Sequence, residues 1–400
     1  MSRALMNVVN PVPASQRDAF DEEALRIARV ETASLKAPTI RAHRLSNTHI
    51  SHKAIVLVRI TLANGVVGYG EGSSLGGPRW AEESPESIRS CIHTYLAPVL
   101  LGRSANRFEA LALAMSKAAS RNTAAKAAIE SALYDAVGRS LELPATQLLG
   151  GRIHDSFEVI WALASGDVDQ EIDEARAKFA AREHRRFKVK IGLSDPRSEV
   201  ARLSRLVEAL PGCEVIVDVN QGWTVAQCNR WIPALEEIGI ALIEQPVAAR
   251  DRINLARITA RSRVPVMIDE GAFDVGDVAE AGAAAAGTVL SLKLVKSGGL
   301  MEMKRAAGVA AAHGMELYGG CLLESGIGAA AHLAVFSTLP ALHWGTEHFG
   351  PRILTRDLIS QGLSFRDFHI TCPTGPGLGV SVDEDYIAEV ADGAWRPAAA

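Results

Sequence analysis

Four short apolar runs decide how this chain folds: FKVKIG (187–192), VIVDVNQ (215–221), LIEQP (242–246) and VMIDEG (266–271). Each ends in charged or amide side chains, and LSLKLVKSGG (290–299) and YGGCLLES (318–325) continue the pattern. Lys190, Asp218, Glu244, Asp269, Lys293 and Glu324 follow one another at intervals of 28, 26, 25, 24 and 31 residues. One strand–helix unit of a barrel takes about that length, since eight units fill roughly 250 residues. Helical periodicity fills the intervals. Val200, Leu203, Leu206, Val207 and Leu210 form one apolar stripe; Cys228, Trp231, Ile232 and Leu235 form another. Repeated strand–helix units imply a parallel sheet, because parallel strands need crossover connections. Further runs at 157–163, 289–294, 316–318 and 342–344 bring the strands to about eight, the number of a TIM-like barrel.

Upstream of this alternation the style differs. Residues 1–24 read as a polar tail. The segment 54–61 (AIVLVRIT) is β-branched, and Asn64-Gly65 predicts a tight hairpin of type I′, whose two central residues both need positive φ. Residues 66–71 form the return strand. Ile129, Ala132, Leu133 and Ala136 then recur at helical spacing. This gives an α+β domain at 25–148, a barrel at 149–345 and a C-terminal segment at 346–400. GYGEG (68–72) follows a hairpin rather than opening a helix after a strand, so it is not read as a dinucleotide fingerprint.

Composition excludes several classes. The 400 residues carry 42 Lys+Arg against 46 Asp+Glu, a net charge of −4, so no basic field recommends nucleic acid. No run approaches the ~20 apolar residues of a membrane span, and residues 1–29 lack the compact apolar stretch of a signal peptide. Five cysteines without a CxxC suit reduced thiols in the cytoplasm. No HExxH or HxH pattern occurs among the 11 histidines.

If the intervals mark successive strands, each charge stands at the C-terminal mouth, where barrel enzymes build their sites. Asp218, Glu244 and Asp269 then converge from adjacent strands. Three convergent anions repel one another unless a cation sits among them, and an all-oxygen donor set suits Mg²⁺ or Mn²⁺. Lys190 and Lys293 stand on opposite sides of that cation, and strand period two puts Lys188 beside Lys190. Neighbouring ammonium and metal charges predict lowered lysine pKa values, suited to proton transfer at a carbon next to a metal-held carboxylate.

These motifs resemble the enolase superfamily and, within it, the muconate-lactonizing subgroup: Lys188-Val189-Lys190, Asp218-Val219-Asn220-Gln221, Glu244-Gln245-Pro246, Asp269-Glu270, KLVKSGG (293–299) and LLESGIG (322–328). PTIRAH (38–43), SLGGPRWAEESPE (74–86), LLGGRIHDSFEVIWALASGD (148–167) and WGTEHFGPRIL (344–354) resemble muconate cycloisomerase segments in particular. The resemblance implies a modified (β/α)7β TIM barrel with an N-terminal α+β capping domain. It implies Mn²⁺ or Mg²⁺, a cytoplasmic homo-oligomer (often an octamer), and the interconversion of the dicarboxylate cis,cis-muconate, or a substituted muconate, with muconolactone in aromatic catabolism.

By the same resemblance Lys190 is the usual proton donor, Lys188 tunes it and Lys293 faces the opposite side; in some members the opposite lysine acts instead. Glu324 is expected on the last active-site strand, bonded to substrate or to a lysine. Leu75 and Trp80 occupy cap positions that contact substrate, where relatives often carry Ile and Tyr, and Asn220 is the third substrate-binding candidate. An o-succinylbenzoate synthase or N-acylamino-acid racemase, which uses both lysines, is the alternative within the subgroup. A non-catalytic scaffold or small-molecule binder is the alternative of another class; retention of the whole set of acids and lysines argues against it.

Overall fold

The computed structural model describes residues 22–44 and 49–398. Most of the polar tail read at 1–24 lies outside them. The first unit is an antiparallel sheet in which β1 (Ile27–Arg44) pairs with β2 (His49–Leu62) and β2 with β3 (Val67–Ser73). The hairpin expected at Asn64-Gly65 is present, but its turn differs. Only Gly65 takes a positive φ (+85°). Leu62 N donates to Val66 O across a three-residue loop, and Asn64 Oδ1 accepts from Val66 N. The side chain of Asn64 thus does work that a type I′ turn assigns to backbone torsion.

The long helix Thr123–Ser140 lies on β3 and is buried along nearly its whole length. Its approach explains GYGEG. A Cβ on Gly70 would stand 2.0 Å from Ala128 O, and one on Gly68 2.3 Å from Ala136 N. Glycines at alternate strand positions let helix backbone meet strand backbone. Alanines at 124, 125, 128, 132 and 136 complete the dry interface.

The second unit is a parallel sheet of seven strands: β5 (Ile160–Leu163), β6 (Arg186–Lys190), β7 (Glu214–Asp218), β8 (Leu242–Glu244), β9 (Val266–Ile268), β10 (Val289–Leu292) and β11 (Glu316–Gly319), paired in chain order. A helix follows each strand, ending with Gly326–Phe336. The run read at 157–163 is two strands; β4 (Ser156–Glu158) leaves the barrel to pair with β12 (His369–Thr371).

The eighth stave lies slightly later than the expected 342–344, and it is an extended segment with no regular strand of its own. Trp344 N donates to Leu317 O and Gly319 N to Gly345 O on one side. Thr346 N donates to Glu158 O and Ile160 N to Thr346 O on the other. Thr346 bridges both Gly319 and Val159, which closes the ring. The C-terminal strand β13 (Arg396–Pro397) returns to pair with β1.

Ile160, Ile216, Leu242, Met267, Val289 and Tyr318 fill the barrel floor. Strand period two then places Asp218, Glu244 and Asp269 directly above Ile216, Leu242 and Met267, so the alternation that packs the floor also aims the acids inward. All five cysteines are free. No helix among the described residues is long and apolar enough to cross a membrane.

Candidate active site

Sheet register sets the first row of the site. Lys190 pairs with Asp218, and Asp218 with Glu244, across β6, β7 and β8. Asp269 follows β9 and Lys293 follows β10. The chain leaves these strand ends under torsional strain: Asn220 (φ +43°), Gln221 (+67°) and Gln245 (+35°) lie in the left-handed region. Gln245 offsets this by accepting from Asp269 N and Gly271 N while donating to Val247 O, which ties two strand ends together.

Asp218, Glu244 and Asp269 are each 1–2% exposed. Lys190 Nζ donates to Asp218 Oδ2 at 2.9 Å and to Asn220 Oδ1 at 2.5 Å. Lys188 Nζ lies between Glu347 Oε1 (2.5 Å), Glu244 Oε2 and Asp218 Oδ2 (3.7 Å). Opposite them Lys293 Nζ meets Asp269 Oδ2 at 2.5 Å, under the ring of Trp80, whose centroid is 4.3 Å away. Trp80 in turn stacks on Phe273. A cavity of about 50 Å³ lies among these groups, bordered also by Leu75, Leu322 and Phe349. A larger one of about 500 Å³, beside Lys126, Glu130 and Arg305, holds none of the strand-end groups.

The electrostatics show what this crowding costs. Burial, and then the charge of Asp218, push Glu244 well above the usual carboxylate range. Glu244 Oε2 meets Lys188 as an ion pair yet receives no hydrogen bond. Burial also acts on Asp218 and Asp269, but Lys190 and Lys293, respectively, hold them below it. Glu270, buried beside Asp269 and Asp218, is pushed up to about 7. The lowering expected from the sequence invoked a metal charge; among the protein's own groups the balance on Lys188 and Lys293 runs upward. Burial lowers both, but Glu244 and Glu347 raise Lys188 well above its ordinary value, and Asp269 and Glu244 raise Lys293. Three buried carboxylates that still repel one another among lysines form a hard, all-oxygen donor set, which fits a divalent cation of the Mg²⁺ or Mn²⁺ kind.

The structure brings together Lys188, Lys190, Asp218, Asn220, Glu244, Asp269, Lys293, Leu75 and Trp80; Glu324 is buried behind them, where the charge of Lys293 still acts on it. β11 ends at Gly319, and the loop beyond it turns through Leu323 (φ +58°). Glu324 folds back so that both its oxygens accept from Leu322 N, and it does not border the cavity. Glu347, on the closing stave, accepts from Lys188. Glu324, His332 and His348 do lie within 4.8 Å of one another. They are not a metal centre, since both ring nitrogens of His332 are engaged, by Gly328 O and Leu294 N. Sequence reasoning also missed Lys296, which donates to Asp269 O and Oδ1, and Glu270, which accepts from Asn220 Nδ2.

A barrel whose strand ends carry three converging acids between lysines, under an α+β cap, defines a class of metal-assisted proton-transfer enzyme. Comparison with known proteins gives the family. Residues 29–150 match the mandelate racemase / muconate lactonizing enzyme N-terminal domain, and residues 170–386 match the enolase C-terminal domain-like family. The chain is 43% identical to muconate cycloisomerase 1-2 of Acinetobacter lwoffii over 91% of this chain and 94% of that protein. It is 39% identical to a chloromuconate cycloisomerase of Cupriavidus necator over 91% and 98%. A solved muconate lactonizing enzyme from Pseudomonas fluorescens, complexed with muconolactone, superposes with a TM-score of 0.91 at 40% identity, covering 92% of this chain and all of that one. The chain belongs to the muconate-lactonizing group of the enolase superfamily.

Proposed function

We infer that this protein is a muconate cycloisomerase, acting on cis,cis-muconate or a substituted muconate. The observation that carries the reading is the row Lys190–Asp218–Glu244 in sheet register, with Asp269 and Lys293 facing it. Relatives at about 40% identity along most of the chain bear the same activity in their names.

In the reaction one carboxylate oxygen adds to C4 of the substrate, and the C4=C5 pair moves to C5, α to the other carboxylate. C5 then takes a proton, so the dianion becomes the lactone monoanion. Asp218, Glu244 and Asp269 would hold the divalent ion, Mn²⁺ or Mg²⁺, which when bound stabilises negative charge on the carboxylate next to C5. Lys190 is assigned the proton delivered to C5. Lys188, held by Glu347 and Glu244, keeps positive charge beside it, and Lys293 stands on the opposite face. Leu75, Trp80 and Phe349 keep water away and fit the carbon chain; Asn220 orients Lys190. The same reading carries a homo-oligomer, an octamer by family likeness, working in the cytoplasm.

The test is direct. Protein, Mn²⁺ and cis,cis-muconate are mixed and loss of the diene's ultraviolet absorbance is followed. Persistence of the diene at high protein concentration would defeat the assignment. Turnover of N-succinyl amino acids instead would transfer it to the racemase reaction.

A further inference from the structure

We propose that Lys53 is a positioning residue for substrate binding: its ammonium ties the start of the cap's substrate loop to the barrel loop after β11. The proposal rests on the cycloisomerase reading of the pocket below.

Lys53 lies on β2 and is 1% exposed. Strand period puts it on the same side as Ile55 and Leu57, which belong to the core shared with the barrel, whereas Val56, Val58 and Ile60 face the cap helices. An apolar side chain would continue this face without cost, but a buried ammonium costs several kcal/mol unless its protons are matched. Lys53 Nζ donates to Ser74 O at 2.7 Å and to Leu322 O. No carboxylate among the described residues forms an ion pair with it. Glu324 and Glu71 supply charge from further off, and Glu71 is itself held by Ser325 and Gly328 of the barrel.

The two carbonyls are what matter. Ser74 immediately precedes Leu75, and Leu322 borders the cavity between Cys321 and Leu323. At its other end the loop is fixed by Glu83, whose carboxylate accepts from Ala124 N and Ala125 N at the start of the cap helix. That second anchor joins cap to cap. Lys53 joins the loop to the barrel, so it sets the height of Leu75 and Trp80 above the strand-end acids. A residue acting this way changes how well substrate is held more than how fast it reacts.

Steady-state kinetics with muconate, together with hydrogen exchange of residues 75–82, test the idea on Lys53→Met and Lys53→Gln. Methionine removes both donors and is expected to raise KM about tenfold, with kcat within about threefold of wild type, while exchange in the loop quickens. Glutamine keeps two N–H donors on a chain one atom shorter and is expected to recover most of the loss in both readouts. A purely structural lysine would lower Tm and leave KM alone. If Lys53→Met does not fold, the residual shift in Lys53→Gln decides: KM and loop exchange displaced together support the tether, and both at wild-type values overturn it. A normal KM with quickened exchange, or a raised KM with unchanged exchange, overturns the proposal. Wild-type turnover of muconate is measured alongside, so failure of the cycloisomerase reading is seen separately.

Discussion

Replacing Glu347 by glutamine tests whether the closing stave belongs to the cation site. Glu347 is 5% exposed and accepts from Lys188 at 2.5 Å, while the same ammonium also touches Glu244. In Glu347→Gln the amide oxygen still accepts the bond, so the shape is kept and only a charge is lost. Two consequences have the same sign. The pocket loses one negative charge that attracts a cation, and Lys188 leans more heavily on Glu244, which the cation needs. A hydrogen bond to a charged group contributes about 1.5–3 kcal/mol against about 1 for a neutral pair. The difference, about 0.5–2 kcal/mol, corresponds to a two- to thirtyfold loss of affinity. Calorimetric titration with Mn²⁺ reads this directly, and circular dichroism confirms that the fold is intact. Unchanged Mn²⁺ affinity in a folded Glu347→Gln protein would refute the reasoning, as would a gain.

Other outcomes follow from the same geometry. Asp218→Asn and Glu244→Gln should each abolish measurable Mn²⁺ binding while leaving the thermal transition in place; an unaltered titration removes the acid-triad model. Lys190→Ala should lower kcat by about 10²–10⁴ if Lys190 delivers the proton. Full rate in that variant, with the loss appearing in Lys293→Ala, moves the acid to the other face, and the product formed in D₂O reports which face takes deuterium. Phe273→Ala removes the ring on which Trp80 stacks and should favour bulkier muconates, read as a rise in their kcat/KM relative to the parent diacid; an unchanged ratio shows that the stack does not set the pocket. Burial pushes Glu130 up to about 7 from 4.5, so the folded protein holds a proton there that the unfolded chain has lost. Its contribution is therefore present below about pH 4.5 and declines as pH rises through 7, by an upper limit of about 3 kcal/mol. Glu130→Gln should raise Tm at pH 8 and change it little at pH 5.

Much of the site was legible because a parallel strand announces itself by a short apolar run and ends at a fixed distance from the next. Lys188, Lys190, Asp218, Glu244, Asp269 and Lys293 all sit at such ends. The interval of 31 before Glu324 was the longest, because that residue lies in the loop beyond β11 rather than at the end of the strand. Glu347 was hidden because the eighth stave is held by neighbours on both sides and needs no apolar run of its own. Lys296 reaches the acids from a single helical turn, Leu294–Ser297, which a strand rhythm cannot reveal. The glycines of β3 could be discounted as a nucleotide motif from sequence. Their actual purpose, contact with a helix some sixty residues downstream, required the packing to be seen.

Closure of the ring through Thr346 bears on how the protein is made. During translation the seven βα units leave the ribosome before the segment that bonds Glu158 and Ile160 to Gly319. Until then the outer edges of β5 and β11 carry backbone groups with nothing to pair with, open to other nascent chains. The acid that steadies Lys188 arrives in that same last piece, so maturation of the pocket and sealing of the edges are one event in biosynthesis.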